Sequence, residues 1–543
     1  MEIQTIKKME KEAYKSSSID FIRLGFALFF MVSVLTYSFI SSGQVPNNLF
    51  LAIAALFGAY MAMNIGANDV ANNVGPAVGS KALTMTGAII IAAVFEASGA
   101  LIAGGDVVKT IKKGIIDISG FAGNTDSFIW AMMAALLAAA IWLNFATYFK
   151  APVSTTHSIV GGVMGGGIAA VGFNIVSWGT MGKIALSWIV SPLLGGIIAG
   201  LFLFSIKKTI VFKDNKIEAA IKWVPVFVSI MSWAFVTYLT LKGLKKVWPS
   251  IVSVLTFLPD THKPSFIIAS TFGLIVSVGV YFLVKYLVDK KRDTLENSRD
   301  GVNILFTTPL IFAAALLSFA HGANDVANAI GPLAAINDAI INGGISDKAE
   351  IPLWVISVGA IGIAVGLALY GPKLIRTVGS EITELDQMRA FSVAMAAAIT
   401  VIIASQLGLP VSSTHIAIGG IFGVGFLREY LVSTELEDEI AHDKEVLIDE
   451  KKQLKALNSE LSSLEAKDKK VEEDYKRIVN LYKMISDEED RVKLAKKHLK
   501  NSKKIQYVKR DAIKKIIAAW VITVPAAALL SGLIYFLIKG IIL

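Results

Sequence analysis

Two stretches of the chain place asparagine beside aspartate at the end of a long apolar run. They are Asn68 and Asp69 within Gly66-Ala67-Asn68-Asp69-Val70-Ala71-Asn72-Asn73-Val74-Gly75-Pro76, and Asn324 and Asp325 within Gly322-Ala323-Asn324-Asp325-Val326-Ala327-Asn328-Ala329-Ile330-Gly331-Pro332. A charged side chain at bilayer depth costs roughly 2.5–3.5 kcal/mol on insertion scales, so such a cluster marks a functional site with its own partners. The oxygens of Asn, Asp, Ser and Thr suit small hard cations. Two further segments carry complementary chemistry: Pro152-Val153-Ser154-Thr155-Thr156-His157 and Pro410-Val411-Ser412-Ser413-Thr414-His415. In each, Pro stops the preceding helix, and Ser or Thr can cap a new one whose first amide N–H groups point at an anion.

These segments form a repeat. Gly66 and Gly322 stand 256 positions apart, Pro152 and Pro410 stand 258 apart, and Gly-rich tails follow at Gly161 to Gly167 and Gly419 to Gly425. A weaker marker lies between them, Gly104-Gly105-Asp106-Val107-Val108-Lys109-Thr110 against Gly371-Pro372-Lys373-Leu374-Ile375-Arg376-Thr377. Two separate motifs keeping nearly one offset identify an internal duplication. Asn and Asp favour caps and turns over continuous helix, so each membrane helix is expected to break after Gly66 and Gly322. Freed backbone at that depth is tolerated where it is buried in protein or lines a cavity.

The elements that carry these motifs must be membrane helices. Of the 543 residues, 54% are hydrophobic and 17% charged, and the mean hydropathy is +0.61. Apolar runs fall at about 20–40, 48–65, 82–103, 128–149, 152–172, 183–206, 222–242, 265–288, 303–320, 352–370, 388–408, 410–427 and 515–540, near the length that spans a bilayer. The first lacks a small-residue cleavage site and reads as a retained helix rather than a signal peptide. The expected fold is an all-α polytopic protein of about 11–13 transmembrane segments with broken or re-entrant helices. Its parts are an N-terminal tail and extra helix (1–47), transport repeat 1 (48–206), connecting helices and basic loops (207–302), transport repeat 2 (303–430), a charged cytoplasmic hairpin (431–512) and a C-terminal helix (513–543).

The 52 basic against 43 acidic residues give a net charge of +9. Lysine and arginine concentrate in loops, at Lys7 to Arg23, Lys207 to Lys222 and Lys285 to Arg292, so the positive-inside rule explains the excess without nucleic acid. With those clusters in the cytoplasm, 48–65 runs inward and its counterpart 303–320 runs outward, the arrangement of inverted-repeat transporters. Lys242, Lys245 and Lys246 then lie outside, against the rule. The chain has no cysteine, which removes disulfides and thiolate metal sites. P-loop, GxSxG and HExxH patterns are absent, so ATP-driven transport and hydrolysis have no support and no catalytic residue is assigned.

The charge balance at the doubled site narrows its solute. Neither motif core contains Lys or Arg, the nearest being Lys81 and Lys150. An anion there meets amides, hydroxyls and helix dipoles, while Asp69 and Asp325 add negative charge. A buried anion beside two carboxylates requires travelling cations, which points to cation-coupled anion uptake. A carboxylate can accept the P–OH proton of phosphate but only repels sulfate, which favours phosphate.

These motifs resemble the inorganic phosphate transporter (PiT) family, whose signature is GANDVANxxGP with a downstream P-[VI]-S-[ST]-T-H in each half; residues about 48–430 are covered. The resemblance implies two inverted repeats enclosing phosphate in the cell (plasma or inner) membrane, and symport with Na⁺ or H⁺. Asn68, Asp69, Asn324 and Asp325 would bind phosphate or cation, Ser154, Thr155, Ser412 and Ser413 would add hydroxyl and backbone contacts, and Thr110 and Thr377 are further candidate phosphate ligands. For Na⁺, the preferred co-ion, the oxygen ligands would be Asn68, Asp69, Asn72, Ser154, Thr156, Asn324, Asp325, Asn328, Ser412 and Thr414. An H⁺-coupled phosphate or metal-phosphate symporter and a sulfate permease are the alternatives. No cofactor is expected beyond the co-transported ion. The extra helix at 20–40 and the late position of the charged segment depart from the family pattern.

Three features stand beside this reading. Glu96, in an apolar run, is either a coupling carboxylate or a hydrogen-bonded neutral acid. His157 and His415 are proton carriers or backbone-bonded caps, and the Gly-rich tails allow close helix packing. Segment 431–512 carries Leu447, Leu454, Leu457, Leu461, Leu464, Val471, Tyr475, Ile478, Tyr482 and Ile485 at 3-4 spacing, which predicts a helical hairpin turning near Ala466 to Lys470, with coiled-coil packing that serves a homodimer, a partner or only a solvated arm.

Overall fold

The computed structural model describes residues 2–542 except 44, 150–152, 246, 256–257, 260, 344–350, 382–384, 436, 468 and 503–509. Pro152, Lys150, Lys246 and Asp468 therefore lie outside the described residues. Eighteen α-helices follow one another, and the described residues contain no β-strand. They are α1 (Glu2–Ser42), α2 (Asn48–Asn68), α3 (Val70–Gly79), α4 (Met85–Ala103), α5 (Gly105–Lys113), α6 (Thr125–Tyr148), α7 (Thr155–Val171), α8 (Trp178–Ile206) and α9 (Lys216–Gly243). After these come α10 (Trp248–Val254), α11 (Phe266–Asp289), α12 (Arg299–Ile341), α13 (Leu353–Glu381), α14 (Gln387–Gln406), α15 (Ser413–Glu435), α16 (Glu437–Glu465), α17 (Glu472–Ser502) and α18 (Arg510–Ile542). Among the described residues 12 helices are long and apolar enough to cross a membrane, so the protein is a multi-pass membrane protein.

Neither motif turns its helix aside: the first copy carries only a one-residue interruption at Asp69, between α2 and α3. At Asp69 the backbone stays helical (φ −81°, ψ −38°) and its N–H donates to the Ile65 carbonyl at 2.9 Å. The second copy lies within one uninterrupted helix, the 43-residue α12. The expected break fails because these Asn and Asp side chains find partners on other helices, although Asn72 Nδ2 also donates to the Asp69 carbonyl of its own segment at 3.1 Å. The interruption comes instead at two turns, between α6 and α7 and between α14 and α15, where Ser154 is extended (φ −87°, ψ 123°). The apolar run at 152–172 becomes α7, only 17 residues long and short for a full crossing.

Helix α12 touches α2, α4, α5, α6, α9, α13 and α14, and is the axis around which the core is built. Its approach to α4 and the approach of α2 to α13 are set by missing side chains. A Cβ on Gly322 would collide with the Glu96 carbonyl oxygen, one on Gly99 with that of Phe319; at the other seam, Gly66 faces the carbonyl of Ile363 and Gly366 that of Met63. Each seam thus pairs backbone with backbone, as small residues permit in membranes. The Gly-rich tails do the same: Gly161 and Gly165 lie on Val524 and Ala528 of α18, and Gly419 and Gly423 lie on Pro192 and Gly196 of α8. Gly322→Val should therefore destabilise the protein by about 3 kcal/mol or more, read as a lowered melting temperature of detergent-purified material; an unchanged value would mean that the seam can open.

Residues 425–509 form a separate compact unit. Within it α16 and α17 fold back on each other around Leu461, Leu481 and Ile485. Arg477 forms two hydrogen bonds to the Glu460 carboxylate at 2.8 and 3.1 Å, and the Tyr482 hydroxyl donates to Glu465 at 2.7 Å. The Arg477 guanidinium holds the Glu460 carboxyl below the usual range for glutamate.

Candidate functional site

The turn between α6 and α7 and the turn between α14 and α15 meet inside the membrane core. Thr156 Oγ1 donates to the Val411 carbonyl at 2.9 Å, and Trp188 Nε1 donates to the Pro410 carbonyl at 3.3 Å. Ser154 Oγ accepts from the His157 N–H at 3.1 Å and Ser412 Oγ from the His415 N–H at 3.3 Å. Both serines thus cap the helices that begin there. The remaining first-turn amides of α7 and α15 are brought to one place, with the positive ends of two helix dipoles.

The duplicated asparagines and aspartates line up against these turns in three matching sets. Asn68 Nδ2 donates to Thr147 Oγ1 at 2.9 Å, and Asn324 Nδ2 to Ser405 Oγ at 2.9 Å. Thr155 Oγ1 donates to Asp69 Oδ2 at 2.6 Å, and Ser413 Oγ to Asp325 Oδ2 at 3.1 Å. Asn72 Nδ2 donates across to Thr414 Oγ1 at 2.8 Å, and Asn328 Nδ2 donates across to Thr156 Oγ1 at 3.1 Å. The last set ties each half to the other's turn. Asp69 also accepts from Thr414 Oγ1 at 3.0 Å.

All of these side chains are buried except that of Thr147, which is half-buried. The amide oxygens of Asn72, Asn324 and Asn328 and the Oδ1 of Asp325 have no hydrogen-bond donor among the described residues. Buried acceptors without donors are rare and costly, by about 1–3 kcal/mol each, unless an ion or water serves them. No lysine or arginine pairs with Asp69 or Asp325 among the described residues; their partners are hydroxyls and one histidine. The donor set is all oxygen apart from that imidazole, which matches hard cations.

His321 is a candidate that the sequence alone did not single out. Its Nδ1 lies 2.6 Å from Glu96 Oε2 and its Nε2 lies 2.9 Å from Asp325 Oδ2, with all three side chains inaccessible to solvent. Asn73 Nδ2 donates to the other Glu96 oxygen at 2.8 Å. Ligand atoms of Asp69, His321 and Asp325 lie within 4.8 Å of one another, a grouping that can hold a metal ion. The second seam has nothing comparable. There Ile65 stands for His321, Ala329 for Asn73 and, by the matching glycine contacts, Ile363 for Glu96. Aligning the two repeats would have exposed His321 against Ile65.

The other sequence candidates fall in different places. Thr110 donates to the Gly408 carbonyl at 2.7 Å and so braces the second turn. Thr377 is not brought to the cluster: it is half-buried on α13, and its hydroxyl donates at 3.4 Å to the Lys373 carbonyl of its own helix. His157 and His415 lie edge to face, ring centroids 4.4 Å apart, between Trp188 and Trp520 at 3.8 and 3.5 Å. Their ring nitrogens have no hydrogen-bond partner among the described residues.

The model of the phosphate transporter family matches residues 65–531. A protein of Helicobacter pylori strain J99 is 47% identical over 549 residues, covering 98% of both chains. One of Haemophilus influenzae is 38% identical over 379 residues, covering 69% of this chain and 87% of its own. Both bear the name "Putative phosphate permease". Among solved structures, "The sodium-dependent phosphate transporter" is 31% identical with a TM-score of 0.70, covering 91% of this chain and 99% of that one.

Proposed function

Because the chain belongs to the phosphate transporter family, we propose that it imports inorganic phosphate together with Na⁺ by alternating access between two inverted repeats. The observation that carries the Na⁺ reading is the set of donorless buried oxygens on Asn72, Asn324, Asn328 and Asp325. Cation binding there would satisfy them and offset the two aspartates. The name of the sodium-dependent structural neighbour supports the same co-ion.

In this reading Asp69, Asn72 and Thr414 form one cation ligand group, and Asp325, Asn328 and Thr156 form the other. Asn68, Asn324, Ser154 and Ser412 would serve either ion. Phosphate lies between the starts of α7 and α15. The Thr155 and Ser413 hydroxyls, which donate to the aspartates, turn to the phosphate once Na⁺ occupies the carboxylates. Each ion thus prepares the site for the other, which is coupling in the thermodynamic sense.

A proton-coupled reading has one observation in its favour, the Glu96–His321–Asp325 chain. The two separate in proteoliposomes. Phosphate accumulation is expected under an inward Na⁺ gradient at equal pH, and not under a pH gradient without Na⁺; accumulation only in the second condition would overturn Na⁺ coupling in favour of H⁺.

A further inference from the structure

A second site lies away from the repeats' meeting point. Helices α9, α11 and α12 line a cavity of about 740 Å³, to which α4 contributes one residue, Phe95. That volume is within the range of built ligand sites, about 300–1,000 Å³. Its walls are almost wholly apolar, from Val284 and Leu287 on α11 to Pro309 and Phe312 on α12, and Phe312 and Leu287 remain half exposed at its open side. Along α12 it extends from Leu305 to Leu316, about 16 Å of helix. One leaflet of a bilayer's hydrocarbon is about 15 Å thick.

One end is different. Lys290, Lys291 and Thr294 line it where α11 gives way to the loop before α12. Two of the neighbouring carboxylates are already engaged: Arg292 contacts Asp289 at 2.9 Å and Glu218 at 3.4 Å. Lys290 and Lys291 have no carboxylate partner among the described residues, although Asp293 lies on the same loop. The cavity thus joins a leaflet-length apolar slot to two exposed ammonium groups without an ion-pair partner among the described residues, within the basic stretch Lys285 to Arg292 that the positive-inside rule assigns to the cytoplasmic leaflet, where anionic lipids concentrate.

We propose that this cavity binds one anionic phospholipid, with its acyl chain in the slot and its headgroup phosphate against Lys290 and Lys291. Phe95 links the site to transport, because it precedes Glu96 in the chain and packs with Phe235 on Phe319, two residues before His321. A bound acyl chain supports the α4–α12 seam from its lipid side.

The test uses the full-length protein reconstituted in phosphatidylcholine with or without phosphatidylglycerol, and reads lipid retained after detergent exchange by native mass spectrometry. Phosphatidylglycerol is expected to be retained at one copy and phosphatidylcholine lost. Lys290→Gln with Lys291→Gln should weaken retention about thirtyfold, whereas Lys290→Arg with Lys291→Arg preserves it. Val284→Trp should displace the lipid by filling the slot with both lysines in place. Equal retention of the two lipids, or phosphatidylglycerol held as well by the Gln pair or by Val284→Trp as by the parent, would overturn the proposal. Retention is read without transport, so the outcome is independent of the co-ion assignment.

Discussion

Asp69→Asn and Asp325→Asn are each expected to lower phosphate uptake about a hundredfold or more while the protein still inserts and folds. Asparagine keeps the shape of aspartate, and the Thr155 and Thr414 hydroxyls that now donate to Asp69 can turn to accept from an amide. The packing at this point is therefore preserved. What disappears is one negative charge in a site where no lysine or arginine balances the aspartates among the described residues, and with it the main attraction for a cation. Initial rates of labelled phosphate uptake, normalised to reconstituted protein, decide the matter. A variant that transports like the parent would remove its carboxylate from the ion site.

The second large effect concerns the pair that only one seam possesses. Glu96→Ile alone should destabilise the protein by about 3–5 kcal/mol, because it leaves the buried His321 Nδ1 without its carboxylate partner. Glu96→Ile with His321→Ile copies the Ile363 and Ile65 seam and should restore much of that stability, since a well-packed apolar pair replaces a buried ionic one at little cost. Transport is expected to stay at least about tenfold below the parent in this stable double variant. Melting temperature and uptake measured on the same preparation separate the two roles. Recovery of both would make the pair a packing element only.

Much of this was legible in the sequence because the duplication carries it. The 256- and 258-residue offsets named the asparagines, aspartates and hydroxyls that the fold brings together, and the apolar runs gave the helices. The continuity of α12 was not legible: propensity describes what Asn324 and Asp325 prefer alone, whereas Ser405 and Ser413 from distant helices decide what they do. His321 was hidden for a related reason. A histidine just ahead of the motif gains meaning only from Glu96, 225 positions away in the chain, and no local period reports such a pair. Thr110 and Thr377 matched as a marker, yet only Thr110 reaches a turn, since side-chain direction is set by packing that spacing does not encode.

The unbroken course of α12 constrains how the proposed cycle can work. Between Pro309 and Pro332 the helix behaves as a mast: Asp325 sits on continuous helical backbone, and no unwound hinge at the motif lets it swing toward one face of the membrane or the other. Access must then change through what surrounds it, by displacement of α7 and α15 and the turns that precede them. The bare glycine faces of those helices, which rest on α18 and α8, become the bearing surfaces of the machine, and any side chain that jams one would halt turnover without touching an ion ligand.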